Sequence, residues 1–393
     1  MNILYIAPND PRIAKSGGMV RTALLWKALK RIGDVYTVIY GPKRADALSA
    51  DARASLERDR IHAVPNDQTC WWNRPLFYVS RKLMKNGSLA CIPARKMRRA
   101  IGWTNVHFDC VVTRYIDQSA NRVAWKLAPL FIDIDDMPLT LFDRMIKCRL
   151  PWLLRPVARS MVWIMQKWSV VHARGVWVTN SADYELVKDQ VPTRLLRNLA
   201  PEVGANYQID GRQERMLLTV GSLGYGPNAQ GISWFLECVW PEVHRLFPGL
   251  EYAIAGGGLA ESTRREWESI DGVRVLGFVD DLDAVYERAC AVVTPVLTGA
   301  GTCIKTIEAC SRGRKVFSTA SAARGFDEKE RGALQIDLFE HASDFVTQLG
   351  TWLDYSESER QLRQREIFAT ASRINSFEEF SRSVREMISS LKG

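Results

Sequence analysis

Gly299 and Gly301 form a glycine loop after an apolar, strand-like run in the last quarter of the chain. Lys305 and Glu308 follow three residues apart, on one face of a predicted helix. A strand, a glycine loop and a helix in this order present backbone N–H groups and a helix N-terminus to a phosphate. Lys305 would add positive charge beside such an anion, and Glu308 would accept a hydrogen bond from a ribose hydroxyl. A βαβ turn with a solvated Lys–Glu pair has the same spacing, so this segment alone leaves both interpretations open.

Two series of short apolar runs alternate with helical or polar segments along the 393 residues. A polar loop with several glycines, near residues 200–215, separates the two series. One long helix is predicted over residues 227–247. Strands that alternate with helices form parallel sheets. The sequence therefore predicts the α/β class, with Rossmann-like, doubly wound domains at 1–200 and 214–375.

The chain has the composition of a globular protein, with 47% hydrophobic and 25% charged residues. Residues 1–200 contain 32 Lys+Arg and 16 Asp+Glu, a net charge of +16, which leaves −7 of the total +9 for the remainder. Such asymmetry indicates two domains with different partners. No apolar run reaches the ~18 residues of a bilayer span, and the N-terminus lacks the basic region of a signal peptide. The eight cysteines lack zinc-ligand spacing, so we predict a cytoplasmic protein with free thiols.

Residues 298–326 resemble the donor-binding motif of the retaining glycosyltransferases of family 4, which have the GT-B fold. In the family this motif reads G-x-G-x-x-x-K-x-x-E-A, and it is filled here by Gly299, Gly301, Lys305, Glu308 and Ala309. The resemblance implies two Rossmann-like domains facing across a cleft, with the last helix, 376–393, returning to the first domain. It also implies a UDP- or GDP-linked sugar whose diphosphate meets Lys305 and the N–H groups of Gly301 and Thr302.

Other segments of the second domain extend this resemblance. The donor-binding residues that they imply are Gly221, Ser222, Gly256, Gly257, Phe278 and Val279. Phe278 and Val279 are equally consistent with core packing. Ser222 stands where the family commonly has an arginine, and Ala300 where it has a first glutamate. The diphosphate charge must then be offset by Lys305 and by backbone N–H groups.

A glycine pair in the first domain resembles the loop by which the family's first domain faces the donor phosphates. Gly17 and Gly18 precede a predicted helix, and Arg21 lies in its first turn. We therefore add these three residues to the donor-binding set. Arg21 or Lys15 would supply the charge that is missing from the second domain. A double glycine before a helix also occurs for steric reasons alone.

Three aspartates follow one another closely at the carboxyl end of a predicted strand, where open α/β sheets bind ligands. Many members of the family have a histidine at the position of Asp135. Asp135 would thus be catalytic, with Asp133 and Asp136 on the acceptor side. An alternative is the D-x-D motif of the other glycosyltransferase fold, with Asp133 and Asp135 on Mg²⁺ or Mn²⁺. A third interpretation makes these carboxylates caps for the next helix.

Two stretches, 81–103 and 150–168, combine basic residues with apolar and aromatic ones. Helices of this composition bury an apolar face at a membrane surface while their cations meet anionic lipid. The alternative is a core helix with a solvated basic face. Because no helix-turn-helix, zinc-finger or RNP pattern is present, we predict an anionic membrane as a partner and no nucleic acid.

Taken with the resemblance, these features predict a retaining glycosyltransferase that acts in cell-surface polysaccharide synthesis. Its donor would be a nucleotide diphosphate sugar and its acceptor a glycolipid or polyprenyl-linked glycan. It would need neither metal nor cofactor and would lie at the inner face of the membrane. The alternatives are a metal-dependent D-x-D transferase, a sugar-nucleotide epimerase, and a nucleotide-binding membrane scaffold without catalysis.

Overall fold

The computed structural model describes residues 1–13, 17–41, 50–65, 105–116, 124–146, 150–211, 213–298 and 303–390. The chain divides into two compact units. The first comprises Met1–Arg197 together with Phe377–Gly393, and the second comprises Asn198–Ser376. The end of the chain therefore belongs to the unit in which the chain begins.

The first unit contains a sheet of seven parallel strands among its described residues. The strands are β1 Asn2–Ala7, β2 Asp34–Gly41, β3 Ile61–Pro65, β4 Cys110–Arg114, β5 Leu130–Ile134, β6 Gly175–Val178 and β7 Thr193–Leu195. The helices up to β7 are α1 Gly17–Lys30, α2 Ala50–Arg58, α3 Ala124–Leu127, α4 Pro138–Leu141, α5 Arg155–Val171 and α6 Ser181–Val187. A π-helical turn, Phe142–Ile146, follows α4, and a 3₁₀ turn, Trp152–Leu154, precedes α5.

The strand order in this sheet is β3-β2-β1-β4-β5-β6-β7. The strands β4, β5 and β6 are buried along their whole length, as expected for a sheet covered on both faces. The order reverses between β1 and β4, and the carboxyl ends of strands at such a point are where doubly wound sheets bind ligands. The described residues that directly follow β1, β4 and β5 lie at that edge.

The second unit contains six parallel strands among its described residues. They are β8 Met216–Val220, β9 Glu251–Ala255, β10 Val273–Gly277, β11 Ala291–Thr294, β12 Val316–Ser318 and β13 Ile336–Leu338. The helices are α7 Gly226–Cys238, α8 Trp240–Leu246, α9 Glu261–Glu268, α10 Leu282–Arg288, α11 Ile304–Cys310, α12 Glu328–Ala333, α13 Ala342–Asp354 and α14 Glu357–Ile374. The order β10-β9-β8-β11-β12-β13 reverses between β8 and β11. The turn after β8 and residues 295–298 after β11 therefore lie at the edge where such sheets bind ligands.

The single helix predicted over 227–247 is wrong, because the structure has two helices there. The chain bends at Val239, whose φ and ψ are −121° and −49°, and α8 begins at the next residue. Pro241 lies at the start of α8, where its missing N–H costs no hydrogen bond. Within one continuous helix the same proline would have removed a backbone hydrogen bond. The break therefore follows from the position of the proline.

The last helix, α15 Phe377–Ser389, packs against α1 within the first unit. Its buried face is formed by Phe380, Val384, Met387 and Ile388. A Cβ added at Gly175, the first residue of β6, would lie 2.6 Å from the Met387 sulfur. The helix therefore completes the core of a sheet whose last strand ends at Leu195, far earlier in the chain. In the described part of the chain, no helix is both long and apolar enough to cross a membrane.

Candidate functional site

Lys305 is held over the turn that follows β8. A Cβ added at Gly221 would lie 2.5 Å from Lys305 Cε and 3.4 Å from Lys305 Nζ. Lys305 Nζ donates to Asn228 Oδ1 at 3.3 Å, and Lys305 forms no ion pair within the described residues. The side chain thus reaches from the first turn of α11 to the end of β8, and only a glycine leaves room for it. A positive charge is thereby placed at the point where the strand order reverses.

Asn228 is the residue that fixes both the lysine and the turn. It is 6% exposed, in the first turn of α7, and its Nδ2 donates to the carbonyl oxygen of Ser222 at 2.7 Å. Ser222 itself is exposed. The sequence analysis gave Asn228 no role. Its position just after a glycine turn could have indicated a role at the site.

The glycines Gly221, Gly256 and Gly257 bring the ends of β8, β9 and β10 together. A Cβ at Gly256 would lie 1.6 Å from the Gly221 carbonyl oxygen, so no other residue fits there. Gly221 N donates to Ala255 O at 2.9 Å, and Leu223 N donates to Gly257 O at 2.9 Å. These glycines therefore allow the backbones at the strand ends to approach closely.

Glu308 lies inside a small buried group of charges. It is 8% exposed, and Arg312 Nη1 lies 3.9 Å from Glu308 Oε1. Burial raises the pKa of Glu308, and the charges of Arg312 and Lys305 offset part of that rise. Arg312 Nε in turn donates to Asp283 Oδ1 at 2.6 Å. Sequence reasoning missed Arg312 and Asp283, although the four-residue spacing from Glu308 to Arg312 was a signal for the first of them.

Phe278 and Val279 differ in their surroundings. Phe278 is 77% exposed, directly after β10, whereas Val279 is partly buried against the core of the second unit. A Cβ at Gly257 would lie 3.6 Å from Phe278 Cβ, so the aromatic residue stands beside the glycine turn. Core packing therefore accounts for Val279 and not for Phe278. An exposed ring at this edge is available to stack on a planar ligand group.

Three of the predicted donor-binding residues, Gly299, Gly301 and Thr302, lie outside the described residues. The residues that precede them are tied to the neighbouring segment after β12. Ser321 Oγ donates to Leu297 O at 2.8 Å, and Thr319 Oγ1 donates to Val296 O. The start of the loop after β11 is thereby anchored at the same edge of the sheet as Lys305.

In the first unit, Arg21 and Asp133 bind each other in the interior. Arg21 Nε donates to Asp133 Oδ2 at 2.9 Å, and Arg114 Nη1 donates to the same oxygen at 2.5 Å. Arg21 is 1% exposed, and Arg114 and Asp133 are fully buried. Burial opposes the ionisation of Asp133, but the two guanidinium groups outweigh it and hold its pKa below the ordinary value. The charge of Arg21 is therefore used inside the unit, and Arg114 is a member of this group that sequence reasoning missed.

Asp135 and Asp136 lie nearer the surface than Asp133. Arg114 Nη2 lies 3.2 Å from Asp135 Oδ2, and the Asp135 side chain is 14% exposed. Asp136 Oδ1 is buried and has no hydrogen-bond partner among the described residues. Burial, followed by the charges of Asp135 and Asp183, raises the pKa of Asp136 to about 7. The pKa of Asp183 is raised to about 6, mainly by burial, although Asn180 Nδ2 donates to it at 2.8 Å.

Gly18 lies at the same edge of the first sheet, in the first turn of α1 with Gly17. A Cβ at Gly18 would lie 3.1 Å from the hydroxyl of Tyr115, to which Arg114 Nη2 donates at 3.1 Å. Thr22 Oγ1 donates to the Gly18 carbonyl oxygen at 2.9 Å. The structure therefore brings Gly18, Arg21, Asp133 and Asp135 together around Arg114. Lys15, the other predicted source of charge, lies outside the described residues.

The D-x-D alternative is disfavoured by these contacts. Asp133 is ion-paired with two arginines, and the guanidinium groups occupy the carboxylate oxygens that a metal would need. Among the residues described, no group of three or more His, Cys, Asp or Glu side chains is arranged to hold a metal ion.

Residues 214–354, most of the second unit, match the family described as glycosyl transferases group 1. An uncharacterised 44.6 kDa protein of the cps region of Klebsiella pneumoniae is 30% identical over 116 residues. That alignment covers 28% of this chain and 30% of the relative's length.

Two solved structures resemble the fold over nearly the whole chain. Sucrose-phosphate synthase from Thermosynechococcus elongatus has a TM-score of 0.66 at 16% identity, covering 99% of this chain and 98% of its own. HepE of Anabaena, in complex with UDP, has a TM-score of 0.62 at 11% identity, covering 99% and 100%. The predicted fold class, two doubly wound α/β domains as in the GT-B enzymes, is thereby confirmed. A glycosyltransferase domain thus lies within residues 214–354, on a chain whose whole fold is that of glycosyltransferase structures.

Proposed function

We propose that this chain is a retaining glycosyltransferase that moves a sugar from a nucleotide diphosphate to a hydroxyl group in cell-surface polysaccharide synthesis. The family match of residues 214–354 supports the reaction class. The relative from a cps region supports the pathway. HepE was solved with UDP and with UDP and glucose, which supports a UDP-sugar as the donor, with a GDP-sugar as the other candidate.

The observation that carries this proposal is the placement of Lys305. Its ammonium group lies over Gly221, held by Asn228, at the reversal point of the second sheet. It forms no ion pair within 4 Å of a carboxylate in the described part of the chain, so its charge is available to a ligand anion. A diphosphate at this position would meet the lysine at the carboxyl ends of β8 and β11, where such sheets bind nucleotides.

The proposed reaction is a displacement on one face of the sugar. A bond forms between the acceptor oxygen and the anomeric carbon while the bond from that carbon to the diphosphate oxygen breaks. The leaving diphosphate takes the acceptor proton, and Lys305 stabilises the negative charge that develops on it. Neither metal nor cofactor enters these steps.

Glu308 and Phe278 would hold the nucleoside. The buried Glu308 carboxylate would accept hydrogen bonds from the ribose, with Arg312 keeping it ionised despite its raised pKa. Phe278 would offer its exposed ring to the base. Ser222, Gly256 and Gly257 would shape the turn against which the donor lies.

On the acceptor side we assign Asp135 to orient the attacking hydroxyl, with Asp136 beside it. Arg21 was expected to meet the donor, and Asp133 the acceptor. We assign both instead to positioning Asp135 through Arg114. The acceptor itself would be a glycolipid or polyprenyl-linked glycan. An enzyme with such an acceptor would work in the cytoplasm at the inner face of the membrane.

A thermal-shift screen with UDP, GDP and TDP sugars tests the donor site, since a ligand that binds only the folded state raises its stability. We expect a UDP- or GDP-sugar to raise the unfolding temperature of the wild type and to have no effect on Lys305→Ala. NMR of the product should show the donor's anomeric configuration. A shift that persists in Lys305→Ala, or an inverted product, would contradict the proposal.

A further inference from the structure

Helix α5 and the 3₁₀ turn before it expose a continuous set of large apolar side chains. Five of them recur along α5 at spacings of four and three residues, so they share one helical face. Together with the three residues of the turn they form what we call the α5 stripe: Trp152, Leu153, Leu154, Val157, Met161, Ile164, Trp168 and Val171. Their exposed fractions run from 37% for Met161 to 72% for Trp152.

A different face of α5 packs against the core of the first unit. Val162 and Ser169 are 6% and 2% exposed, and Ala158 and Met165 on the same face are partly buried. The core-helix interpretation of residues 150–168 therefore accounts for that face and leaves the α5 stripe unexplained. Eight neighbouring apolar side chains in water are costly, and contiguous exposed patches of this kind mark sites of protein or membrane contact.

Within α5 and the turn before it, all charged side chains are basic. Residues 151–171 contain no Asp or Glu, and their charged residues are Arg155, Arg159 and Lys167. Arg159 pairs with Asp143 at 2.9 Å, whereas Lys167 lies with its Nζ 5.0 Å from the centre of the exposed Trp163 ring. Two exposed tryptophans at the ends of the stripe add the side chain most typical of membrane–water interfaces.

Beside the stripe is a cavity of about 300 Å³, lined by Trp163, Gln166, Lys167, Val170 and Gln190. The ammonium group and the two amides give it donors for an anionic oxygen, while the indole and the valine give it an apolar wall. A second copy of the chain is a poorer match, because a two-fold contact between two α5 stripes would bring their like charges together. An anionic lipid satisfies both the apolar stripe and the cations.

We propose that the α5 stripe docks onto an anionic phospholipid bilayer. The helix lies in the plane of the interface, with the stripe at the level of the acyl chains and Lys167 at the level of the lipid phosphates. This inference rests on the first unit alone and needs neither the donor site nor the transfer reaction.

Sedimentation of the full-length protein with sucrose-loaded vesicles tests the docking. The vesicles are phosphatidylcholine alone or with about one-third phosphatidylglycerol. We expect binding to the anionic vesicles, weakened by salt. The double variant Ile164→Ser, Trp168→Ser should partition at least about 10-fold less, given the apolar area withdrawn from the bilayer. Lys167→Gln should lose about 5-fold on anionic vesicles only.

Leu362→Ser is the matched control, because Leu362 is 59% exposed and belongs to the second unit. It should bind vesicles as the wild type does. Equal vesicle binding by the double variant and the wild type would overturn the proposal. So would a wild type that ignores vesicles and forms a dimer that the double variant loses. UDP binding, measured on the same variants, should be unchanged. A wrong docking proposal can therefore be told apart from a wrong donor-site proposal.

Discussion

Asn228 joins the ammonium group of Lys305 to the turn after β8 through its two side-chain atoms. Asn228→Ala removes both hydrogen bonds, each worth ~1 kcal/mol. We therefore expect UDP affinity to fall about 10-fold by isothermal titration. Asn228→Asp should lower the UDP affinity further, because a carboxylate beside Lys305 would neutralise the charge that meets the diphosphate.

Gln230→Ala provides the control, since Gln230 is exposed on the same helix. It should keep wild-type affinity. Equal affinity of Asn228→Asp and the wild type would mean that Lys305 does not meet the ligand anion.

We expect Asp136 to make the stability of the first unit depend on pH. Its pKa is raised from the ordinary 3.8 to about 7, so the folded state binds more protons than the unfolded state between these values. Stability should therefore fall as the pH rises from about 4 to about 7, with a slope of up to ~1.4 kcal/mol per pH unit from this group. Asp136→Asn should flatten that decline in urea unfolding followed across the window.

Asp189→Asn removes an exposed carboxylate from the same unit and should leave the slope as in the wild type. Should Asp136→Asn also keep the wild-type slope, Asp136 would be ionised and solvated in the folded protein, and its unpaired Oδ1 would need another explanation.

The strand ends of the second sheet depend on Gly256. An alanine there would place its Cβ 1.6 Å from the carbonyl oxygen of Gly221, which forces β8 and β9 apart. We expect Gly256→Ala to lower the free energy of unfolding by about 3 kcal/mol and to weaken UDP binding. Gly226→Ala is the matched control, because nothing lies within 4 Å of the added Cβ. Similar stability of both variants would show that the glycine turn has room to move.

The last helix of the chain, α15, stabilises the unit that contains the first strands. Phe380, Val384, Met387 and Ile388 of α15 are buried against the first unit. Removal of residues 377–393 should therefore expose the α1 face and speed amide hydrogen exchange in β1 and α1. Exchange in β8 and β9 should stay as in the intact chain. Equal loss of protection in both units, or no loss in either, would contradict this division of the molecule.

Part of this organisation can be predicted from the sequence because it is encoded in short stretches. Apolar runs separated by helical segments predict two parallel sheets, since each strand of a covered sheet is apolar along its length. The Gly299 to Glu308 spacing predicts a phosphate site at one strand end, and this stays a prediction. The break in the helix over 227–247 could also have been predicted from the sequence. Pro241 inside a continuous helix would remove a backbone hydrogen bond.

Tertiary structure alone decided which charges are available. In sequence, Arg21 and Lys305 are both cations beside glycines, yet Arg21 is paired inside the fold with Asp133, a residue 112 positions away. Lys305 is left over Gly221, held by Asn228 from another helix. Likewise, helical spacing shows that α5 has apolar faces, but only packing decides which one the core covers. Partners and burial arise between segments distant in the chain, whereas local patterns record only the element that each segment forms.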